Sequence, residues 1–381
     1  MLDLGAARIT ALVVQISSGE ASVLAMGLAD HPPIDLAMGR ADFGALVAAA
    51  EAALVAAEDE AGAVPRRVVL GVEGNYCIVG TGTSEQVRPQ PLAPVETREV
   101  ERVLADARAA AGVAARRLQL AEHGKEQPLG VVNEAILSIR LDDRDVTSAV
   151  GATGSRLLIE VAEAFAPPPA LRHLKDVADA LDLEHVGSLA LPFALGAALS
   201  RNTGEPAIVV DAGTRGTQVI LVGEHGTEAA GWLPIGAQAL EARIQERLGI
   251  DALAARQAVE AHTHGAGHRG PAGATGARVV SQLARHHADV WLDALEVVCG
   301  EIARGRNLPP RLLLCGASAL MPEMRQALAS GGWHATLPFP RPPTVRVLAP
   351  SDIPGVRLPE GFSGGSETVP ILCLASAFAL M

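Results

Sequence analysis

Aromatic residues are nearly missing from this chain. Of its 381 residues, 3% are Phe, Trp or Tyr, and Tyr occurs once. That scarcity excludes the stacking platform on which single-stranded nucleic acids bind. Positive charge is also in deficit, with 31 Lys and Arg against 43 Asp and Glu and a formal net charge of −12. A phosphate-backbone binder needs the opposite balance, so no nucleic-acid partner is expected. Cysteine is sparse and scattered: Cys77, Cys299, Cys315 and Cys373 form no Cys-x-x-Cys pair. They read as reduced core thiols of a cytoplasmic protein. No run reaches the ~18 apolar residues that a spanning helix needs. Asp3 interrupts the N-terminus where the apolar core of a secretory leader would lie. A soluble, cytoplasmic chain is expected, reaching the inner face of the plasma membrane only through a partner or a missing C-terminal helix.

What the chain does have is apolar content, 49% of its residues, and a length that fits two or more domains. It also has a phrase that occurs twice. Residues 3–14 begin Asp3-Leu4-Gly5-Ala6-Ala7-Arg8 and run on into Ile9–Val14. Residues 211–222 begin Asp211-Ala212-Gly213-Thr214-Arg215-Gly216-Thr217-Gln218 and run on into Val219–Val222. Each is an Asp-x-Gly turn feeding an apolar, β-prone run, and about 200 residues separate them. Gly lets backbone approach a phosphate, and successive N–H groups in a turn form an anion-binding nest. An Asp at the end of a buried strand can hold the water shell of magnesium, which makes Asp3 and Asp211 candidate metal-side residues. The pair therefore points to two similar domains that share one nucleotide.

Between the two phrases, periodicity predicts a helix over 42–60, strands at Arg67–Val72 and Tyr76–Gly80, and a proline-rich joint at Arg88–Pro94. Thr97 is expected to cap a helix with Val100, Val103, Leu104 and Ala107 on one side. Strands are expected at Ala135–Leu141 and Leu157–Phe165, followed by a helix carrying Leu171, Leu174, Val177, Ala178 and Leu181. After the second phrase come helix patterns at Ala237–Leu248, Asp251–His262 and Ala277–Arg304. A strand at Arg311–Cys315 then enters the turn Gly316-Ala317-Ser318, and Val369–Met381 closes the chain as an apolar helix.

With two Asp-x-Gly hairpins, an insertion and a Gly-x-Ser turn in that order, the chain resembles the FtsA/PilM branch of the actin/sugar-kinase/heat-shock ATPase superfamily. The likeness covers nearly the whole length. It implies an α/β, actin-like fold of two ribonuclease-H-like lobes, each around a five-stranded mixed sheet, with an FtsA-type 1C insertion. On that pattern residues 1–89 and 188–204, with 350–381 returning, form lobe 1A. Residues 90–187 form the 1C insertion, 205–235 and 305–349 form 2A, and 236–304 form 2B. The resemblance assigns ATP and magnesium to Asp3, Gly5, Ala6, Ala7 and Arg8 in the first turn. It adds Asp211, Gly213, Thr214, Arg215, Gly216 and Thr217 in the second, Gly236 beside it, and Gly316, Ala317 and Ser318 in the adenosine turn.

The departures from the pattern carry as much weight. Ala6 and Arg8 stand where the family has a hydroxyl and a Lys, and Arg is not a neutral swap for Lys at a phosphate. Thr214-Arg215 replaces a Gly pair, and Gln218 replaces the closing Asp. Ser188–Leu195 carries no polar residue to position an attacking water, which hydrolysis requires. Nucleotide binding is therefore expected to be weak or structural, ATPase activity weak at most, and no catalytic residue is assigned. The resemblance implies a cell-division actin of the FtsA kind, forming filaments with itself and linking the FtsZ ring to membrane and division machinery. An FtsZ tail peptide would bind at 236–304 and other division proteins at 90–187. A PilM-like cytoplasmic adaptor of type IV pilus assembly, taking a short peptide of a membrane protein in the groove of its insertion, is the alternative. An active ATPase or small-molecule kinase is the third reading. His262, His264 and His268, with His286 and His287 on the next helix, suggest zinc, but no Cys or carboxylate joins them at ligand spacing. An exposed loop is the expected reading there.

Overall fold

The computed structural model describes residues 1–31, 43–201, 204–265 and 273–381. Within them the first phrase becomes the hairpin β1 (Leu2–Leu4) and β2 (Arg8–Ser17), followed by β3 (Glu20–Asp30), α1 (Phe43–Ala61) and β4 (Arg67–Val72). Next come β5 (Ile78–Val87), α2 (Thr97–His123), β6 (Gly130–Leu141), β7 (Arg144–Asp145) and β8 (Arg156–Ala166). Then come α3 (Pro168–Ala180), β9 (Glu184–Ala190) and α4 (Leu191–Ser200). The second phrase becomes β10 (Ala207–Ala212) and β11 (Thr217–Gly223), continued by β12 (Gly226–Leu233), α5 (Ala237–Leu248), α6 (Ala252–Thr263) and α7 (Gly273–Ala303). The chain closes with β13 (Arg311–Cys315), α8 (Pro322–Ala329), β14 (Thr344–Val347), β15 (Val356–Arg357) and α9 (Val369–Phe378).

Two sheets share one plan. The first has the order β15-β3-β2-β1-β4-β9 and the second β12-β11-β10-β13-β14. Set β15 aside and each sheet places its third, second, first, fourth and fifth strands side by side. In the first, β1 runs antiparallel to β2 and parallel to β4, which is parallel to β9. In the second, β10, β13 and β14 run parallel. Strands in the parallel part of a sheet are covered on both faces and must be apolar throughout. Ala207–Val210 and Leu312–Cys315 meet that demand, all being buried. Six strands rather than five make up the first sheet, because Val356 and Arg357 add in parallel beside Ala21 and Ser22. A two-residue strand has no periodicity to announce it.

The chain divides into two compact units: Met1–Val13, Ala25–Glu205 and Val222–Ala230, and then Val14–Leu24, Pro206–Leu221 and Gly231–Met381. The first unit also holds a four-stranded sheet of order β5-β8-β6-β7. Helix α2 lies on it through Ala107, Ala111 and Ala115, all fully buried, against Gly80 and Gly82 of β5. Glycine on the strand and only methyl groups on the helix let helix backbone approach strand backbone. Leu157, Ile159 and Val161 of β8 fill the rest of this small core with Val103.

Helix α2 is not capped by Thr97, which is its first residue. Glu96 precedes it, and its amide donates to the Glu99 carboxylate at 2.9 Å, half of a capping box. Glu99 is held in turn by the buried Arg88, whose Nε and Nη2 both reach it at 3.1 Å. Arg88 also donates to the carbonyls of Gly154, Ala93 and Pro94. Its guanidinium keeps the Glu99 carboxyl below the usual carboxylate range. The proline-rich joint is thus a turn pinned by one arginine, with β5 before it and α2 after it packed together.

In the second unit, α5 and β13 have the bounds that their periodicity predicts. Residues 369–377 of α9 are buried, so the apolar closing segment is a core helix. No helix of the described residues is long and apolar enough to cross a membrane. All four cysteines are buried and unpaired.

A Cβ at Gly82 would overlap the Ala107 carbonyl and the Ala111 amide. Gly82→Val is expected to destabilise the protein by about 1–3 kcal/mol, whereas Thr83→Val, on the exposed side, should stay within ~0.5 kcal/mol. Urea midpoints of the two variants check this, and equal midpoints would contradict it.

Candidate functional site

The first phosphate-type turn is held from several sides. The Ala6 amide donates to Oε1 of Glu73 at 3.1 Å. Glu73 follows β4, whose register pairs Asp3 with Gly71 and so carries Glu73 level with the turn. The Gly5 carbonyl lies 2.8 Å from the His31 ring Nε2, and the His31 amide donates to the Ala7 carbonyl at 3.1 Å. Arg8 turns to Asp30, Nε to Oδ1 at 2.7 Å. Ala7 is buried. Asp3 lies within β1 opposite Thr10, and its Oδ1 is buried with no hydrogen-bond partner. Burial raises its pKa to about 6.

The second turn closes on itself and on α5. The Gly213 amide donates to the Gly216 carbonyl at 2.9 Å. The carbonyls of Gly213 and Thr214 accept from the amides of Ala237 and Gln238, so the turn satisfies the first donors of α5. Gly236 caps that helix against the backbone of Gly213, Thr214 and Gly216. Thr217 is fully buried; its hydroxyl donates to the Ile235 carbonyl and accepts from the Trp291 indole at 2.9 Å. Gln218 is buried and donates to the Gly231 carbonyl. Arg215 is half-buried. Asp211, the last residue but one of β10, lies opposite Cys315.

At the third turn Gly316 has φ +93, a conformation that favours glycine, and a Cβ there would overlap Asp211 Oδ1 and the Ala212 carbonyl. The Ser318 amide donates to the Ala212 carbonyl at 2.9 Å, which joins the third turn to the second. Ala317 is exposed, and Ser318 Oγ is buried without a partner. Each unit thus keeps one buried polar atom without a hydrogen-bond partner beside its turn, Asp3 Oδ1 in the first and Ser318 Oγ in the second, a feature that fits a ligand in part. The first-turn amide and the first-turn cation, however, already hold carboxylates of the chain itself.

Among the histidines, His262 meets a carboxylate after all. Its Nε2 lies 2.9 and 3.0 Å from the two oxygens of Glu323, which also accepts from Ser281. The pair ties α6 to α8, and His262 holds the Glu323 carboxyl below its ordinary range against the opposing effect of burial. His264 is exposed, and His268 lies outside the described residues. His287 is buried on α7, and burial lowers its pKa to about 4. Among the described residues no group of three or more His, Cys, Asp or Glu is placed to hold a metal.

A different feature of the first unit has the form of a binding site. A cavity of about 450 Å³ lies beside β6, lined by Leu137, Ile139 and Val146, by Ser138, Arg140, Asp145, Thr147 and Glu160, by Glu224 and His225 of the β11–β12 turn and by Glu228 of β12. β6 pairs with β7 only at Arg140 and Leu141, while a register shift between Ile136 and Ser138 bends the strand. Upstream, Asn133 ties β6 to β9 through the Ala190 amide at 2.7 Å. The start of β12 is anchored by Thr81, which donates to the Glu228 carbonyl at 2.8 Å, and by Thr227, which donates to the Pro192 carbonyl at 2.7 Å. Four carboxylates line the cavity against one arginine. Ser138 Oγ and Arg140 Nε are buried without hydrogen-bond partners; the nearest acid to that Nε, Asp145, is 3.8 Å away. The alternation of Leu137, Ile139 and Leu141 marks this strand in sequence. Glu224 and Glu228 come from 64 and more residues beyond Glu160, and no local signal joins them to it.

These features define a class. The chain has the α/β fold of the actin-like ATPases, with two sheets of one plan and an inserted four-stranded sheet. The solved structure of a PilM–PilN type IV pilus biogenesis complex matches it with a TM-score of 0.67 at 17% identity, over 100% of this chain and 98% of that one. The ethanolamine utilization protein EutJ from Carboxydothermus hydrogenoformans matches with a TM-score of 0.51 at 12% identity, over 99% of this chain and 88% of that one. At these identities the likeness is one of fold. No family model matches the chain, and no curated protein matches it.

Because burial raises the Asp3 pKa from 3.8 to about 6, the folded state holds this proton more tightly than the unfolded chain does. Its contribution to stability is then present below pH 4 and lost as pH rises to 6. The stability of the wild type relative to Asp3→Asn should fall by about 2 kcal/mol between pH 4 and pH 7. Urea titrations of both proteins measure the difference, and a pH-independent gap would contradict the assignment.

Proposed function

We propose that the chain is an actin-fold adaptor that binds an extended segment of another protein in the groove beside β6, and that nucleotide turnover is not its work. The groove carries this reading. β7 pairs with β6 only at Arg140 and Leu141 and the Ile139 carbonyl accepts from the Val146 amide, so the edge of β6 before Ile139 is where an added strand would pair, while Leu137, Ile139 and Val146 offer apolar contact. The surplus of carboxylates selects a basic occupant. Cytoplasmic flanks of membrane-spanning helices are rich in Lys and Arg, so the juxtamembrane tail of a membrane protein has the right chemistry.

Within that class, a PilM-like role in type IV pilus assembly has the most support. The PilM–PilN complex has a fold that this chain matches end to end, and the groove lies on the inserted sheet, where a PilM-like adaptor would take its peptide. A division role of the FtsA kind rests on the same fold and would place a partner on 236–304 instead.

Two labelled peptides separate the readings by fluorescence polarisation: a basic, apolar N-terminal tail of the PilN type and an acidic tail of the FtsZ type. The first should bind, and Glu160→Lys with Glu228→Lys should weaken it at least ~10-fold. Binding of the second peptide alone, unchanged by those substitutions, would replace this reading with the division role.

A further inference from the structure

We propose that Glu73 is an internal anion of the first phosphate-type turn: its carboxylate takes the place of a nucleotide phosphate on the Ala6 amide, so that the turn keeps its shape without nucleotide. The inference is independent of the partner groove. It rests on where the Glu73 side chain goes. A carboxylate oxygen 3.1 Å from an amide in an Asp-x-Gly turn makes the contact that a phosphate oxygen would make there.

The local backbone fixes the arrangement. β4 runs parallel to β1, so both strands end at the same side of the sheet and Glu73 emerges beside Gly5. A single 3-10 turn, Gly74–Tyr76, begins at once, with the Tyr76 amide donating to the Glu73 carbonyl at 3.0 Å. The second contact that a phosphate would seek, the side-chain cation, has been treated in the same way. Arg8 is ion-paired with Asp30 of β3 at 2.7 Å. Two carboxylates thus stand at the two positive elements of the turn. A phosphate approaching it would have to displace Glu73 and would meet the Asp3 carboxyl in the same hairpin. Like charges at such range oppose binding strongly where burial lowers the local dielectric.

The test uses the full chain with Mg-ATP and inorganic pyrophosphate as probes, read by calorimetry and by the Ala6 amide resonance in NMR. In the wild type neither probe should move that resonance, and Mg-ATP should bind only in the millimolar range. Glu73→Ala should tighten Mg-ATP at least ~10-fold and make the Ala6 amide respond to pyrophosphate. Glu73→Gln keeps an acceptor of the same shape and loses the charge; it should gain a smaller part of the effect, and it carries the test if the Ala variant does not fold. Micromolar Mg-ATP binding by the wild type, or unchanged affinity in both variants, would overturn the proposal.

Discussion

The structure depends on one constraint, met twice: the strand at the centre of each sheet must be apolar enough to lie buried and must end in a carboxylate and a sharp turn. β1 and β10 satisfy it with Leu-Asp-Leu-Gly and Val-Val-Asp-Ala-Gly. Around each, a hairpin partner on one side and a parallel strand on the other build the same strand order. The turns then fall at the ends of parallel strands, where α/β folds place their ligands. What sets these turns apart is what they touch.

They touch the protein itself. In the first, Ala6 and Arg8 are partnered by Glu73 and Asp30. In the second, the carbonyls of Gly213 and Thr214 hold the start of α5, and Thr217 faces the buried Trp291. A backbone nest costs free energy when its donors are left dry, and internal partners remove that cost. On the proposed reading such a frame serves as a scaffold and the groove beside β6 does the binding, with its apolar Leu137, Ile139 and Val146, its surplus of carboxylates and the buried Ser138 Oγ that has no hydrogen-bond partner.

Much of the fold was legible from local pattern. The strands Arg67–Val72 and Arg311–Cys315 and the helix Ala237–Leu248 follow from apolar runs and helical spacing alone. What escaped has a common cause, which is distance along the chain. Glu73 reaches Ala6 across 67 residues, Glu323 reaches His262 across 61, and Arg88 reaches the Gly154 carbonyl across 66. The proline cluster looked like a linker because proline marks turns of every kind, and only the buried guanidinium shows that this one is fixed. Thr97 lost the cap to its neighbour because Glu99, three residues beyond Glu96, completes the better pattern. The apolar pattern starts a strand at Tyr76, whereas this residue closes the 3-10 turn that follows Glu73. The groove was half legible: β6 showed its alternation, while the acids Glu224 and Glu228 had no mark of proximity.

The central claim is that an actin-like frame has been kept while its chemistry has been given up. Phosphate release by the full chain at saturating Mg-ATP tests that claim most directly. The account predicts no release above the uncatalysed background. Turnover on the ~1 s⁻¹ scale at which kinases begin would contradict it.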